Sequence, residues 1–130
     1  MPPIAFVNPD TVHSTGGRYA QATLVTGAGR RLVLSGQVGT APDGTVVEGG
    51  EAQVAQALAN VKAILASQGM GPANLVKMTV FLTDPALIPA WRNGRAAALE
   101  GHTPASTLLI VAGLADPRFV VEVEAEAVGD

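Results

Sequence analysis

The stretch EAQVAQALANVKAILASQG, residues 51 to 69, decides how the rest of the chain is read. Val54, Leu58, Val61 and Leu65 recur at i, i+4, i+7 and i+11, and Ala57 and Ile64 widen the stripe. That spacing places one apolar face on an amphipathic helix over residues 51–68. Both ends agree with it. Glu51 sits where a helix dipole favours negative charge, and Gly69 offers the left-handed backbone that ends a helix.

Upstream of this helix the period changes from 3.6 to 2. Residues 19–26 (YAQATLVT) and 31–38 (RLVLSGQV) read as strands joined by the turn-rich GAGR, hence an antiparallel hairpin, after an extended start at residues 4–7. APDGT, residues 41–45, is a turn in which Pro42 presets φ and Gly44 accepts a positive φ. Downstream, residues 75–83 (LVKMTVFLT) are β-branched and aromatic enough for a strand. Asp84 and Pro85 then supply an N-cap and a first-turn proline. Because Pro89 interrupts the pattern, a short turn is expected at 85–88 and a second helix over 89–100, closed by Gly101. Strands at 106–111 and 119–128, joined by AGLADPR, finish the chain.

Strands flanking two long helices predict an α+β domain, a mixed sheet with two helices on one face. A sheet covered on one side has to hide the other. Of the 130 residues 48% are hydrophobic, 15% charged and 4% aromatic, so residues 1–130 are expected to form one domain with a Val, Leu, Ile and Ala core and with apolar surface left over. Copies of the same chain are the expected cover.

Charge and composition weigh against several classes of function. A net charge of −3 and eight Lys and Arg that never form a run give no footprint for a phosphate backbone, so no nucleic-acid partner is expected. With no Cys there is no thiol nucleophile. The opening MPPIAFVNPD lacks the basic and apolar regions of a secretory signal, and no stretch approaches the roughly 20 apolar residues of a membrane span. The expectation is therefore a cytoplasmic protein with no membrane partner. His13 and His102 stand alone in loops without Cys or carboxylates at ligand spacing, so no metal site is expected. Gly27, Gly29, Gly36 and Gly39 lack the strand-to-helix setting of a dinucleotide loop and read as turn glycines.

Three groups of residues carry possible chemistry. In VVEVEAEAV alternation puts Glu122, Glu124 and Glu126 on one face and Val121, Val123, Ala125 and Ala127 on the other. The glutamates form either a solvated outer face or a set in which one is half-buried and serves as a base toward water. Tyr19, the only tyrosine, follows GGR at the start of a strand. SGQVG, residues 35–39, ends an apolar strand either as plain turn residues or as a ligand contact through Ser35 and the backbone at Gly36.

Taken together, SGQVG, the helix QVAQALANVKAILASQG, the strand VKMTVFLTD, the Pro-Ala of HTPAS and the closing VEVEAEAV resemble the RidA (reactive intermediate deaminase, YjgF-like) family over about residues 19–128. The resemblance implies a chorismate-mutase-like α+β fold, assembled as a homotrimer with an inner β-barrel and with clefts between subunits for small metabolites. It also implies hydrolysis of enamines and imines such as 2-aminoacrylate to 2-keto acids and ammonia, without a cofactor. Tyr19 matches the tyrosine of the family cleft, Ser35 the serine before Gly-Gln, and Glu122 the glutamate that positions the attacking water.

One position departs from the deaminase pattern. Where a deaminase reads Pro-Ala-Arg, this chain reads Pro104, Ala105, Ser106. A serine offers one neutral donor in place of a bidentate, charged clamp on a carboxylate. In WRNGR either Arg92 falls at the position where deaminases tend to carry Asn, with Arg95 at the aromatic position three residues on, or a one-residue shift aligns Asn93 there; Arg92 and Arg95 stand at i and i+3 on the second helix. They are either solvated surface arginines or, together with Arg18 as a third candidate, a relocated anion clamp. Two functions follow as expectations. One is a metabolite-binding trimer lined by Tyr19, Ser35, Gly36, Arg92, Ser106 and Glu122, without ordinary 2-imino acid deaminase activity. The other is an imine or enamine hydrolase of altered specificity with Glu122 as the water-activating base. Endoribonuclease activity, which has been attached to family members, is disfavoured by the acidic balance.

Overall fold

The computed structural model describes residues 4–17, 20–27 and 29–130, with the Ile4 side chain left aside. In chain order the elements are β1 (Ile4–Val7), β2 (Ala22–Gly27), β3 (Gly29–Val38), α1 (Gly50–Ser67), β4 (Leu75–Leu82), α2 (Ile88–Ala98), β5 (Ala105–Ile110) and β6 (Val121–Gly129). The strands form one sheet in the order β1-β2-β3-β6-β4-β5. Only β4 and β5 run parallel, joined by the crossover that contains α2; the other neighbours are antiparallel, which makes the sheet mixed.

The chain's last strand, β6, lies between β3 and β4, and its alternation sets the two faces of the sheet. Val121, Val123, Ala125 and Ala127 are buried beside Leu32 and Leu34 of β3 and Met78, Val80 and Leu82 of β4. Against this face lies the stripe read from the sequence: Val54, Ala57, Leu58, Val61, Ile64 and Leu65 of α1 are all buried. The second helix, α2, packs on α1 through Trp91 and Gly94. A Cβ added to Gly94 would stand 2.6 Å from Cγ1 of Val54, so the missing side chain is what lets the helices approach.

Two polar residues of α1, invisible to hydrophobic periodicity, are buried with them. Asn60 Nδ2 donates to the carbonyls of Val38 (3.1 Å) and Thr40 (2.9 Å). Gln53 Nε2 donates to the carbonyls of Val47 (3.1 Å) and Arg118 (2.8 Å), and its Oε1 accepts from the Val120 N–H at 3.0 Å. These amides bond backbone groups at the strand ends and in the adjoining loops, so they fix α1 against the strand ends.

Departures from the sequence expectations are local. The second helix ends at Ala98, and Glu100 (φ 53°) and Gly101 (φ 85°) turn the chain out of it, two residues before the expected stop. The turn at Pro85–Leu87 is 3-10, with Asp84 Oδ1 accepting from the Ala86 N–H at 2.8 Å. A second 3-10 turn at Pro72–Asn74 was not expected; the Asn74 side chain accepts from the Gly71 N–H at 2.9 Å. Gly36 and Gly39 do not serve as turn glycines. Gly36 lies within β3, and Gly39 is pressed against Gln53, whose Cγ would stand 2.6 Å from an added Cβ. Among the described residues no helix is long and apolar enough to cross a membrane.

Candidate functional site

The face of the sheet turned away from α1 carries the glutamates. Glu122 registers with Val38 and Phe81, Glu124 with Thr79, and Glu126 with Val33 and Lys77. Glu126 is paired with Arg31 at 2.7 Å, and Lys77 Nζ donates to Thr107 Oγ1 at 2.8 Å. Glu122 has no hydrogen-bond or ionic partner among the described residues and is half-buried. Burial first, and the Glu124 carboxylate second, push its carboxyl pKa above the ordinary value.

A break in strand register builds this environment. Leu34 pairs with Ala125 and Gln37 with Val123, so Ser35 and Gly36 together oppose Glu124 in a β-bulge. The bulge brings the bare backbone of Gly36 beneath Glu122. A Cβ there would stand 2.7 Å from the Glu122 Cδ and closer still to Oε2. Ser35 is held at the same place: its N–H donates to the Gln21 carbonyl (2.8 Å) and its Oγ to the Ala20 carbonyl (2.5 Å). Ser35, Gly36 and Glu122 therefore converge.

The other anticipated residues lie elsewhere. In the parallel pairing Ser106 registers with the buried Met78 and Thr107 with Thr79. Neighbouring hydroxyls thus point to opposite faces: Thr107 to the glutamate side, Ser106 to the helix side, where it is exposed. Two strand spacings, about 10 Å, also separate β6 from β5. Arg92 is exposed on α2, and neither it nor Arg95 has a partner among the described residues. Tyr19 and Arg18 lie outside the described residues. One chain therefore presents the predicted site as separate parts, with Ser35, Gly36 and Glu122 on one side and Ser106 on the other.

Neither histidine lies with the glutamates. His102 Nε2 shares a hydrogen bond with the Leu75 carbonyl at 2.8 Å, and burial lowers the His13 pKa against a smaller opposing effect of the Thr40 backbone. Among the described residues no group of three His, Cys, Asp or Glu is placed to hold a metal ion. Sequence reasoning missed a pair of buried amides, Gln21 and Gln37, directly behind the bulge. The available signal was a glutamine that follows a glycine near the end of an apolar strand.

Comparison with known proteins agrees with this architecture. The sequence model of the family described as Endoribonuclease L-PSP matches residues 11–129. The chain belongs to this family, that of the RidA or YjgF-like proteins. A 2-iminobutanoate/2-iminopropanoate deaminase of Rattus norvegicus is 38% identical over 114 residues, covering 86% of this chain and 80% of that protein. A RutC family protein of Aquifex aeolicus is 45% identical over 69 residues, 52% of this chain, and the match spans about half (53%) of that relative. Among solved structures, the Rid family protein YyfA of Yersinia pestis superposes with a TM-score of 0.89 at 30% identity, covering 98% of this chain and 99% of that one. As a RidA-family chain, the protein has the two helices on a mixed six-stranded sheet expected from its sequence.

Proposed function

We propose that this RidA-family chain assembles as a homotrimer whose inter-subunit clefts hydrolyse the C=N bond of a small metabolite, with 2-imino carboxylates as poor substrates. The observation that carries the reading is the half-buried Glu122 carboxyl, seated on Gly36 and without a partner among the described residues. A carboxylate with a raised pKa is a stronger base toward water than an exposed one. In the proposed reaction it takes a proton from a water while the water oxygen attacks the imine carbon, and the C=N π electrons pass to the nitrogen, which takes that proton from Glu122 and leaves the carboxylate ionised again. Collapse of the resulting carbinolamine breaks the C–N bond and releases ammonia and a carbonyl compound. No step calls for a cofactor.

Assembly is part of the proposal because the parts of the site face opposite ways in one chain. A cleft containing both Glu122 and Ser106 needs a second copy, and the apolar residues left open on the glutamate face support its burial. Phe6, Leu109 and Val128 on that face are 76%, 44% and 47% exposed. The activity named for the rat relative motivates the reaction class, whereas Ser106 argues against a carboxylate-bearing substrate. Ammonia release from a panel of imines generated in situ, with and without a carboxylate, tests the reading. Turnover that disappears in Glu122→Gln is expected. Equal turnover in wild type and Glu122→Gln discards Glu122 as the base, and saturable binding without turnover leaves a binding protein.

A further inference from the structure

Behind the Ser35–Gly36 bulge lies a chain of buried amides that the proposed reaction does not itself use. Gln37 is fully buried and Gln21 is 1% exposed. Gln37 Nε2 donates to Gln21 Oε1 at 2.6 Å and to the Ser35 carbonyl at 3.2 Å. Gln21 Nε2 donates in turn to the His13 carbonyl at 2.9 Å, and the Gln21 N–H donates to Asn8 Oδ1 at 3.0 Å. The Gln21 carbonyl accepts the Ser35 N–H at 2.8 Å. Both backbone polar groups of Ser35 are thus bonded to one or other glutamine.

Packing alone does not account for Gln37. Its Oε1 is buried without a partner among the described residues, a cost in stability that an aliphatic side chain of similar size avoids. What the amide supplies instead is a donor aimed at the extra residue of the bulge. We propose that Gln37, backed by Gln21, is a positioning residue that holds the Ser35–Gly36 bulge against the Glu122 carboxyl. The route is short: Gln37 pairs with Val123, next to Glu122, and Gly36 precedes Gln37 and lies against the glutamate side chain. Without the Gln37 donor the Ser35 carbonyl loses its bond, the bulge is free to relax, and water reaches a carboxyl that Gly36 now shields. The charged groups on this face, Glu124, Glu126, Arg31 and Lys77, are untouched by the change.

The importance of the device for catalysis rests on the reading of Glu122 as the working group, but its test does not use turnover. Titration of the Glu122 side-chain carboxyl by carbon NMR and hydrogen exchange at the Ser35 and Gly36 amides would be measured in wild type, Gln37→Leu and Gln37→Met. Ile64→Val, a core change on α1, serves as the control for general loosening. The expected result is a Glu122 midpoint displaced toward the ordinary glutamate value and exchange at the bulge faster by about tenfold in both Gln37 variants, with neither change in Ile64→Val. Wild-type titration and wild-type exchange in folded Gln37 variants would overturn the proposal. If neither variant folds, Gln21→Leu is read for the same two signals; failure of all three to fold makes the pair a folding requirement and also overturns it. Absence of imine hydrolysis would remove the proposed function and leave these signals unaltered.

Discussion

The Glu122 carboxyl lies against the bare backbone of Gly36, in space that a Cβ on Gly36 would fill. The contact joins two neighbouring strands of a twisted sheet and depends on the extra residue that the bulge inserts into β3. It shields one side of the carboxyl, and no cation among the described residues pairs with it; burial first and the Glu124 carboxylate second displace its pKa upward. A glycine in the interior of a strand generally weakens it, so its presence here is best explained by what it lets approach.

Gly36→Ala tests that explanation directly. Gly36 is not at positive φ, so alanine meets no backbone penalty and the effect isolates the collision with Glu122. The expected cost is about 1–3 kcal/mol in denaturant unfolding, typical of an overpacked site. A Glu122 carboxyl turned toward solvent should also titrate closer to the ordinary value, read by NMR. Unchanged titration would show that the carboxyl accommodates the methyl without leaving its position.

Stability should carry the signature of Glu122 as pH changes. Its pKa is raised on folding, so the protonated form is favoured in the folded chain; this stabilising contribution is complete below the unfolded value of about 4.3 and is lost as pH rises through the folded value. Glu122→Gln should therefore raise the melting temperature near pH 7, with the gain shrinking to nothing below about pH 4. Glu124→Gln should lower the Glu122 midpoint, since Glu124 is the second cause of the displacement. Paired melting curves from pH 3.5 to 8 check the sign, and a gain independent of pH would assign the effect to something other than charge.

The contrast between what the sequence revealed and what it hid follows from the range of each interaction. Val54, Leu58, Val61 and Leu65 declare α1 because a helix buries a periodic stripe, and Val121 to Ala127 declare β6 because a sheet alternates. Gly36 reads as a turn residue because its role lies across the ladder in Glu122, 86 positions later, and local patterning carries no record of that contact. Gln37 is hidden for a related reason. Strict alternation from the buried Leu34 would put residue 37 on the glutamate face, and only the bulge returns it to the core. The separation of Ser106 from Glu122 needed strand order and register, neither of which a single sequence spells out.

Asn60 tests whether α1 is fixed by its amides as well as by its apolar stripe. The side chain is 1% exposed and donates to the carbonyls of Val38, the last residue of β3, and of Thr40 beyond it. Asn60→Ala leaves both carbonyls and the Gln56 Nε2 donor without this partner, and should cost about 2–4 kcal/mol in urea unfolding. Asn60→Asp, which keeps the shape and replaces the donors by a buried charge, should cost at least as much at pH 7. A loss below about half a kcal/mol would mean that water satisfies these carbonyls as well as Asn60 does.

Burial of the glutamate face by other copies makes a prediction about mass. Leu109 registers with Phe81 on that face and is 44% exposed in the single chain, so a lysine there has solvent available to it in a monomer but not in a closed assembly. Sedimentation equilibrium should give three times the chain mass for wild type and a single-chain mass for Leu109→Lys. Far-ultraviolet circular dichroism should remain that of a folded α+β protein. A trimer that survives the substitution would place the interface on another surface.

Ser106→Arg asks how far the cleft departs from the deaminase pattern. Ser106 is exposed on the helix side of β5, so an arginine there has solvent to extend into and length to reach a neighbouring copy. In the proposed trimer it supplies the bidentate carboxylate clamp that Pro104-Ala105-Ser106 lacks. If a charge-paired contact of that kind contributes about 2–5 kcal/mol, kcat/KM for 2-imino acids should rise between about 30-fold and about 5,000-fold, while neutral imines change little. The gain should vanish when Glu122→Gln is added, because the clamp binds the substrate and Glu122 supplies the base. Equal rates with and without the arginine would place the divergence in the rest of the cleft, with Arg92 and Arg95 on α2 the next positions to substitute.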